Sequence, residues 1–472
     1  MSATLKPCPP PETGVPATPP PSLDAAIYRS RLDATRKRAR ASGFDVLVVW
    51  GDREHAANLS YLSGFDARFE EALLILAADG ARAPRLLVGN ECLGFAPDPA
   101  IRIEVELWQD LSLMGQPRER SRTLREILAD EGVIASARVG CVGWKTYSPA
   151  LIGAESLRTP SQAIDMPAFV VDLLRELTGP TGNVANATSL LMDVSDGLRL
   201  VNEPEQIRLF EYAACISSSG IMSLLRQVRP GAREDDLERQ LDGRGLTLSC
   251  HRMIGFGEKA RRGLASASSN TARRGDMLTT AFGVAGALTC RAGAVANGPE
   301  ELPESMREFF ERFFVNYFEV ARAWYAAVRI GATGGEIFMA AESVRDASLY
   351  EFALNPGHYL HLDEWVNSPF ARDNRVPIRS GMAIQVDIIP VSKGPFCYVN
   401  LEDGIVVADE SLRARLRELD PAMMQRVERR RRYMIDVLGY ELDECVLPLG
   451  DTSGWLAPYV TNLSAAVVAV NE

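Results

Sequence analysis

The sequence predicts an α/β protein of mixed α/β and α+β character, built as two domains. Its 472 residues exceed what one hydrophobic core commonly serves. Short apolar strands alternate with helical patterns in the first part of the chain, and a five-residue turn motif recurs between long helical segments in the second.

In chain order, Met1 to Pro21 is rich in Pro, Thr and Ser and lacks the apolar core of a secretory signal. A disordered Pro-rich leader over residues 1–23 is the expectation. The first domain is assigned to residues 24–195. Ile27 to Arg40 reads as a basic amphipathic helix, followed after Ser42-Gly43 by the strand Phe44 to Trp50. The segments Asn58 to Phe65, Ala72 to Leu76 and Pro84 to Gly89 then alternate turn chemistry with short apolar strands, and Ala137 to Trp144 adds a further strand.

The second domain is assigned to residues 196–472. Asn202, with Glu205 three residues on and Pro204 between them, marks a helix start. Ile207, Phe210, Ala214, Ile221 and Leu225 hold one face of a helix running to about Gln227. Val228-Arg229-Pro230-Gly231-Ala232 closes that helix, and Val328-Arg329-Ile330-Gly331-Ala332 closes another. A duplicated helix-turn-helix follows.

Composition excludes several functions. A net charge of −11 argues against a nucleic-acid surface, and the basic run Arg426 to Arg432 reads as a solvated helix face. No stretch approaches the ~20 apolar residues of a membrane span. Eight cysteines without CxxC spacing suggest free thiols in a reducing cytoplasm.

The chemistry gathers near the second repeat. His358 and His361 lie in Asn355-Pro356-Gly357-His358-Tyr359-Leu360-His361-Leu362-Asp363-Glu364-Trp365. Asp387 follows on an apolar strand and Glu402 on the next, whereas no acid or histidine occurs between Met277 and Pro299. One imidazole with two carboxylates suits either acid-base work or a single zinc or iron ion. Cys290 and Cys397 lie near the two hairpins, where a thiol is either a nucleophile or a buried inert group. His251 reads as a strand-end residue outside this group.

The order of these motifs, with Asn58 to Phe65 upstream, resembles the creatinase, prolidase and methionine aminopeptidase superfamily. The resemblance implies a creatinase-like N-terminal α/β domain followed by a pita-bread catalytic domain, with the active site between two related halves. Metal-dependent members carry two aspartates on the hairpin that here spans Gly275 to Arg291, and those acids are missing. The implied activity is therefore a metal-independent, creatinase-like hydrolysis of a C–N bond in a small amino-acid-like, guanidino or amide compound. His358, Asp387 and Glu402 are the implied catalytic residues, and no metal ligand is assigned. His361, Arg291, Arg68, His55 and Tyr61 are the substrate-binding candidates, Arg291 also being a donor to the acids. The alternatives are an inactive peptidase fold used for binding, and a peptidase or lyase with a single zinc or iron at His358, Asp387 and Glu402. The expected partners are a small-molecule substrate and a second copy of the chain, with neither nucleic acid nor membrane.

The implied homodimer is checked by light scattering at micromolar concentration. Twice the 51.7 kDa chain mass is expected; the resemblance implies that the N-terminal domain of one copy closes over the other's cleft, and a clean monomer would remove His55 and Arg68 as contributors there.

Overall fold

The computed structural model describes residues 2–95, 97–154 and 159–470. It divides into two compact units, Leu23–Arg199 and a second that joins Met1–Ser22 to Leu200–Glu472.

The Leu23–Arg199 unit is a mixed six-stranded sheet with strand order Glu104–Leu107, Arg85–Val88, Ala72–Ala77, Val46–Gly51, Arg138–Val142, Asn183–Asn186. Val46–Gly51 runs antiparallel to Ala72–Ala77 and parallel to Arg138–Val142. Its central strands are near-continuous apolar runs because they are covered on both faces. One expectation needs correction here. Ala57–Ser63 is a short helix rather than a strand, and its buried Asn58, Leu59, Tyr61, Leu62 and Ser63 recur at helical rather than alternating spacing.

The second unit opens with the helix Pro204–Leu225. Pro204 occupies its first turn as expected, but Asn202 does not cap it. Both the backbone N–H and the side-chain amide of Asn202 donate to Gly381 O. The repeated motif is structurally equivalent in its two copies. Gly231 and Gly331 hold φ of 90° and 87°, a region where a side chain is strained. Their N–H groups donate to Ala272 O and Ile378 O, and Ala272 and Ile378 donate back to Ala232 O and Ala332 O. Each copy leads from a long helix, Pro204–Leu225 or Glu304–Ala327, into a shorter one, Glu234–Glu238 or Gly334–Val344.

The halves share one antiparallel sheet in the order His358–Tyr359, Ala383–Asp387, Leu401–Val407, Ala287–Ala294, Met277–Val284, Met253–Phe256, with Val446–Pro448 also paired to Leu401–Val407. Every residue of the four central strands is buried, so each polar side chain there must find an internal partner.

The leader is not disordered. Ser2–Pro7 pairs antiparallel with Ala465–Val470. Beyond it, Tyr433 donates its hydroxyl to Pro9 O at 2.7 Å, Gly14 N–H donates to Asp451 Oδ2 at 3.0 Å, and Tyr212 donates to Thr18 O at 3.3 Å. A Pro-rich segment cannot build a core of its own, yet here the C-terminal strand supplies the partner that its composition lacks.

The basic run is also only partly solvated. Arg430 is 4% exposed and stands between Glu211 at 2.7 Å and Asp451 at 2.8 Å. Arg426 closes on the other Glu211 oxygen at 2.6 Å. Burial alone would raise the Glu211 carboxyl; the charges of Arg430 and Arg426 overcome it and hold the group below its ordinary value. Arg430→Met leaves two buried carboxylates without their shared cation. It should cost about 3–5 kcal/mol in urea unfolding, and a loss under about 1 kcal/mol would show that water replaces the arginine.

Candidate active site

Strand register builds the site. Asp387 lies opposite Glu402, Glu402 opposite Cys290, Cys290 opposite Ala281, and Ala281 opposite Met253. Alternation along each strand sends these side chains to one face and their sequence neighbours to the other. His358 enters from the edge, opposite Gln385. Gly357 before it has φ 118°, and a Cβ there would meet Gln385 O at 2.7 Å and the Trp324 ring at 3.2 Å. The tight turn that aims the histidine therefore needs glycine.

His358 is fully buried, with the Trp365 ring stacked on it at 4.2 Å and 21°. Its Nδ1 lies 3.2 Å from Tyr359 O. Its Nε2 lies 2.9 Å from Glu364 Oε1, 3.5 Å from Glu402 Oε1 and 4.0 Å from Asp387 Oδ2. Glu364 stands at ion-pair distance, but among the described residues no acceptor lies along the Nε2–H direction, and Asp387 Oδ1 is likewise buried without a hydrogen bond. Cys290 donates its thiol to Glu402 Oε2 at 2.9 Å.

Electrostatics follow from this crowding. Burial raises the Asp387 carboxyl well above its usual range, and the Glu402 charge adds to it. Burial likewise pushes Glu402 up to about 7, opposed by its contact with His358. Burial works against a charged His358, but Glu364 and Glu402 overcome it and hold the imidazole's proton well above the ordinary value. Glu364 is held down because the His358 charge outweighs burial. Cys290 is raised well above a normal thiol by burial and by Glu402, so it stays protonated as a donor and is no nucleophile. Burial pushes Cys397 up to about 12. All eight cysteines are free.

The structure thus brings His358, Asp387 and Glu402 together and adds Glu364, Trp365 and Cys290. It corrects the role of Arg291. That guanidinium is 3% exposed on the opposite face of the sheet, where its Nη2 meets both Asp403 oxygens at 2.9 and 2.8 Å. It contacts neither substrate space nor the Asp387 carboxyl. Tyr61 is corrected too: it is buried, donates to Leu198 O at 3.2 Å and stacks with the Arg31 guanidinium at 4.3 Å, a packing role within its own unit. His55, in the same unit, pairs with Asp52 at 3.1 Å and packs on Trp144 at 4.2 Å, while Arg68 is half-buried. His361 is buried edge-on against Phe210 at 5.3 Å, with Nδ1 accepting from Leu362 N–H at 2.8 Å. His251 is exposed, its Nε2 2.7 Å from Leu264 O.

Residues 208–409 match the model of metallopeptidase family M24. The fold is similar to that of dipeptidase PepE from Mycobacterium ulcerans, at 20% identity and TM-score 0.60 over 82% of this chain and 94% of that one. It is similar also to the prolidase from Pyrococcus horikoshii OT3, at 15% and 0.59 over 80% and 95%, and to the Xaa-Pro dipeptidase from Bacillus anthracis, at 16% and 0.59 over 82% and 96%. No curated protein sequence matches the chain. Residues 208–409 thus carry the match to the family model, and the fold over most of the chain is the one these structures share. No helix among the described residues is long and apolar enough to cross a membrane.

The metal pair that family M24 implies does not fit these residues. A two-ion site needs several bridging oxygens, and the row beside Glu402 continues as Cys290 and Ala281. A single ion is a different matter. His358, Asp387 and Glu402 offer one donor atom each within 4.8 Å of one another, a set suited to one zinc or iron-class ion.

The raised groups set a pH dependence of stability. Glu402 binds its proton more tightly folded than unfolded between its ordinary 4.5 and about 7, and Asp387 and His358 are shifted the same way. Stability therefore falls as pH rises through that window. Melting curves across it should show the fall, reduced by about 1–3 kcal/mol in Glu402→Gln. Parallel curves would mean that Glu402 does not hold the extra proton.

Proposed function

We propose that the chain is a metal-independent hydrolase of a C–N bond in a small amino-acid-like, guanidino or amide compound, working through His358, Asp387 and Glu402. One observation carries this reading: His358 Nε2, buried 4.0 Å from Asp387 Oδ2, has no acceptor along its N–H direction among the described residues, and the other Asp387 oxygen, Oδ1, is buried without a hydrogen bond. Two such orphans are costly unless a bound molecule takes them up.

The chemistry follows from the charges. A planar cationic or amide group bound against Asp387 and Glu402 forms charge-assisted bonds that favour their ionised forms. A water beside it loses a proton to the ionised carboxylate as its oxygen attacks the carbon. His358, charged and with its Nε2–H direction open, gives its proton to the departing nitrogen as the C–N bond breaks. The proton on the carboxyl then returns to the imidazole. Burial of His358, Asp387 and Glu402 keeps bulk water away, which strengthens each of these contacts.

The same donor set favours a second reading, in which His358, Asp387 and Glu402 hold one ion that acts as a Lewis acid on the scissile group. Its ligands would be the three side chains already named.

The test is turnover of a panel of guanidino, amidino and N-acyl amino-acid compounds by chelator-treated protein. His358→Ala should abolish it while leaving the melting temperature within a few degrees, and Glu402→Gln should lower it by about 10²-fold or more. His251→Ala should be near neutral, since its ring is exposed and bound to a carbonyl. Turnover that survives His358→Ala would end this reading, and turnover that disappears with the chelator and returns with one ion would put the second reading in its place.

A further inference from the structure

The row of side chains that carries Asp387 and Glu402 does not stop at the acids. On the same face of the sheet it runs on through Cys290, Ala281 and Met253, with Leu288 beside Cys290 on the same side of its strand. Met253, Ala281, Leu288 and Cys290 form a small apolar cluster of their own, with Cys250 packed against it. Each of the four keeps a narrow opening, 5–7% exposed, whereas Thr280, Phe282, Thr289 and Arg291, which face the other way on the same hairpin, are 0–3% exposed. That reverse face is filled by packing: Thr289 bonds with Ser217 of the helix Pro204–Leu225 at 2.8 Å, and Arg291 with Asp403. The Ser249–Cys250 segment closes the far end of the row, since a Cβ on Gly283, opposite Leu288, would meet Ser249 Oγ at 2.3 Å.

We propose that this apolar row is a second part of the substrate site, taking an alkyl or other apolar group of the same small molecule whose planar polar head meets Asp387 and Glu402. This deepens the hydrolase reading above and rests on it for the place of the head. The hairpin Met277–Val284 and Ala287–Ala294, which carries carboxylates in the metal-dependent relatives, here presents a methyl group at Ala281 and, at Cys290, a thiol whose hydrogen goes to Glu402. Water against such a surface finds few hydrogen bonds, so an apolar group displaces it favourably. A second charge on the substrate would have no partner along Ala281, Leu288 and Met253, and its burial there would be costly. The row therefore selects a molecule that is polar at one end and apolar at the other. Neighbouring strands stand about 5 Å apart, which puts Ala281 about 10 Å from Glu402 across the sheet, so the apolar group must extend over several carbons to cover it. Ala281 is the smallest side chain of the row, and the space above its methyl group is what that extension fills.

The experiment is calorimetric titration of the full-length protein with n-alkylguanidinium ions from methyl to hexyl, using wild type, Ala281→Leu and Met253→Ala. Wild-type affinity should rise about threefold to fourfold with each added methylene and level off once the row is covered. Ala281→Leu should weaken the longest members at least tenfold and methylguanidinium less than twofold, while Met253→Ala should move the levelling-off to a longer chain. Affinity that does not depend on chain length would overturn the proposal, as would the absence of binding by any member. A rise with length that both variants leave untouched would overturn it too, because the alkyl chain would then lie elsewhere; if Ala281→Leu folds poorly, Met253→Ala decides this alone. Turnover is not read, so a protein that hydrolyses polar guanidino compounds but shows a flat series loses only the apolar subsite, and one that shows the graded series without hydrolysis keeps it.

Discussion

Two carboxyl groups placed opposite each other on neighbouring antiparallel strands, both shut away from water, form the constraint around which the second unit is organised. Asp387 and Glu402 cannot both ionise there without a cation beside them. The sheet itself offers none on that face, because the row continues through Cys290, Ala281 and Met253. The cation has to come from the edge. Gly357 makes the turn that brings His358 in, and Trp324 fixes that turn by donating its indole N–H to Pro356 O at 2.6 Å. The fold of the edge is thus subordinate to an electrostatic need in the middle.

The reverse face of the same strands solves a similar problem differently. Asp403, one residue after Glu402, is met by Arg291, by the Thr452 hydroxyl at 3.2 Å and by Gly454 N–H at 3.1 Å. Every acceptor there is spoken for, which makes that pair a structural tie. On the first face, polar atoms are left over. Consecutive acids in one strand therefore have opposite roles, and the difference is whether the surroundings complete their bonding.

This parity explains what the sequence could and could not disclose. His358, Asp387 and Glu402 were legible because each sits in a distinct local pattern, a Gly-His turn or an acid in an apolar strand. The repeated turns at Gly231 and Gly331 were legible for the same reason, since positive φ leaves glycine as a mark. Arg291 was misread because a shift of one residue in the pairing of Ala287–Ala294 with Leu401–Val407 decides which face it serves, and apolar strands leave that register open. Glu364 was present in the histidine loop but had no pattern to separate it from Asp363. Its role depends on how that loop folds back. The leader and the Arg430 network escaped for a further reason: each relies on a partner far away in the chain, Ala465–Val470 for one and Glu211 for the other, and local composition carries no trace of either.

The strand Ser2–Pro7 also bears on how the protein is made. Its partner, Ala465–Val470, lies far along the chain, so Ser2–Pro7 must wait until that segment has been synthesised before the two can pair. Meanwhile the Leu23–Arg199 unit draws only on contiguous sequence and can fold as soon as it emerges. The ladder between Ser2–Pro7 and Ala465–Val470 is a contact of very high sequence separation, the kind that forms slowly. Until it forms, Ala465–Val470 presents an unpaired apolar edge, open to pairing with a neighbouring chain.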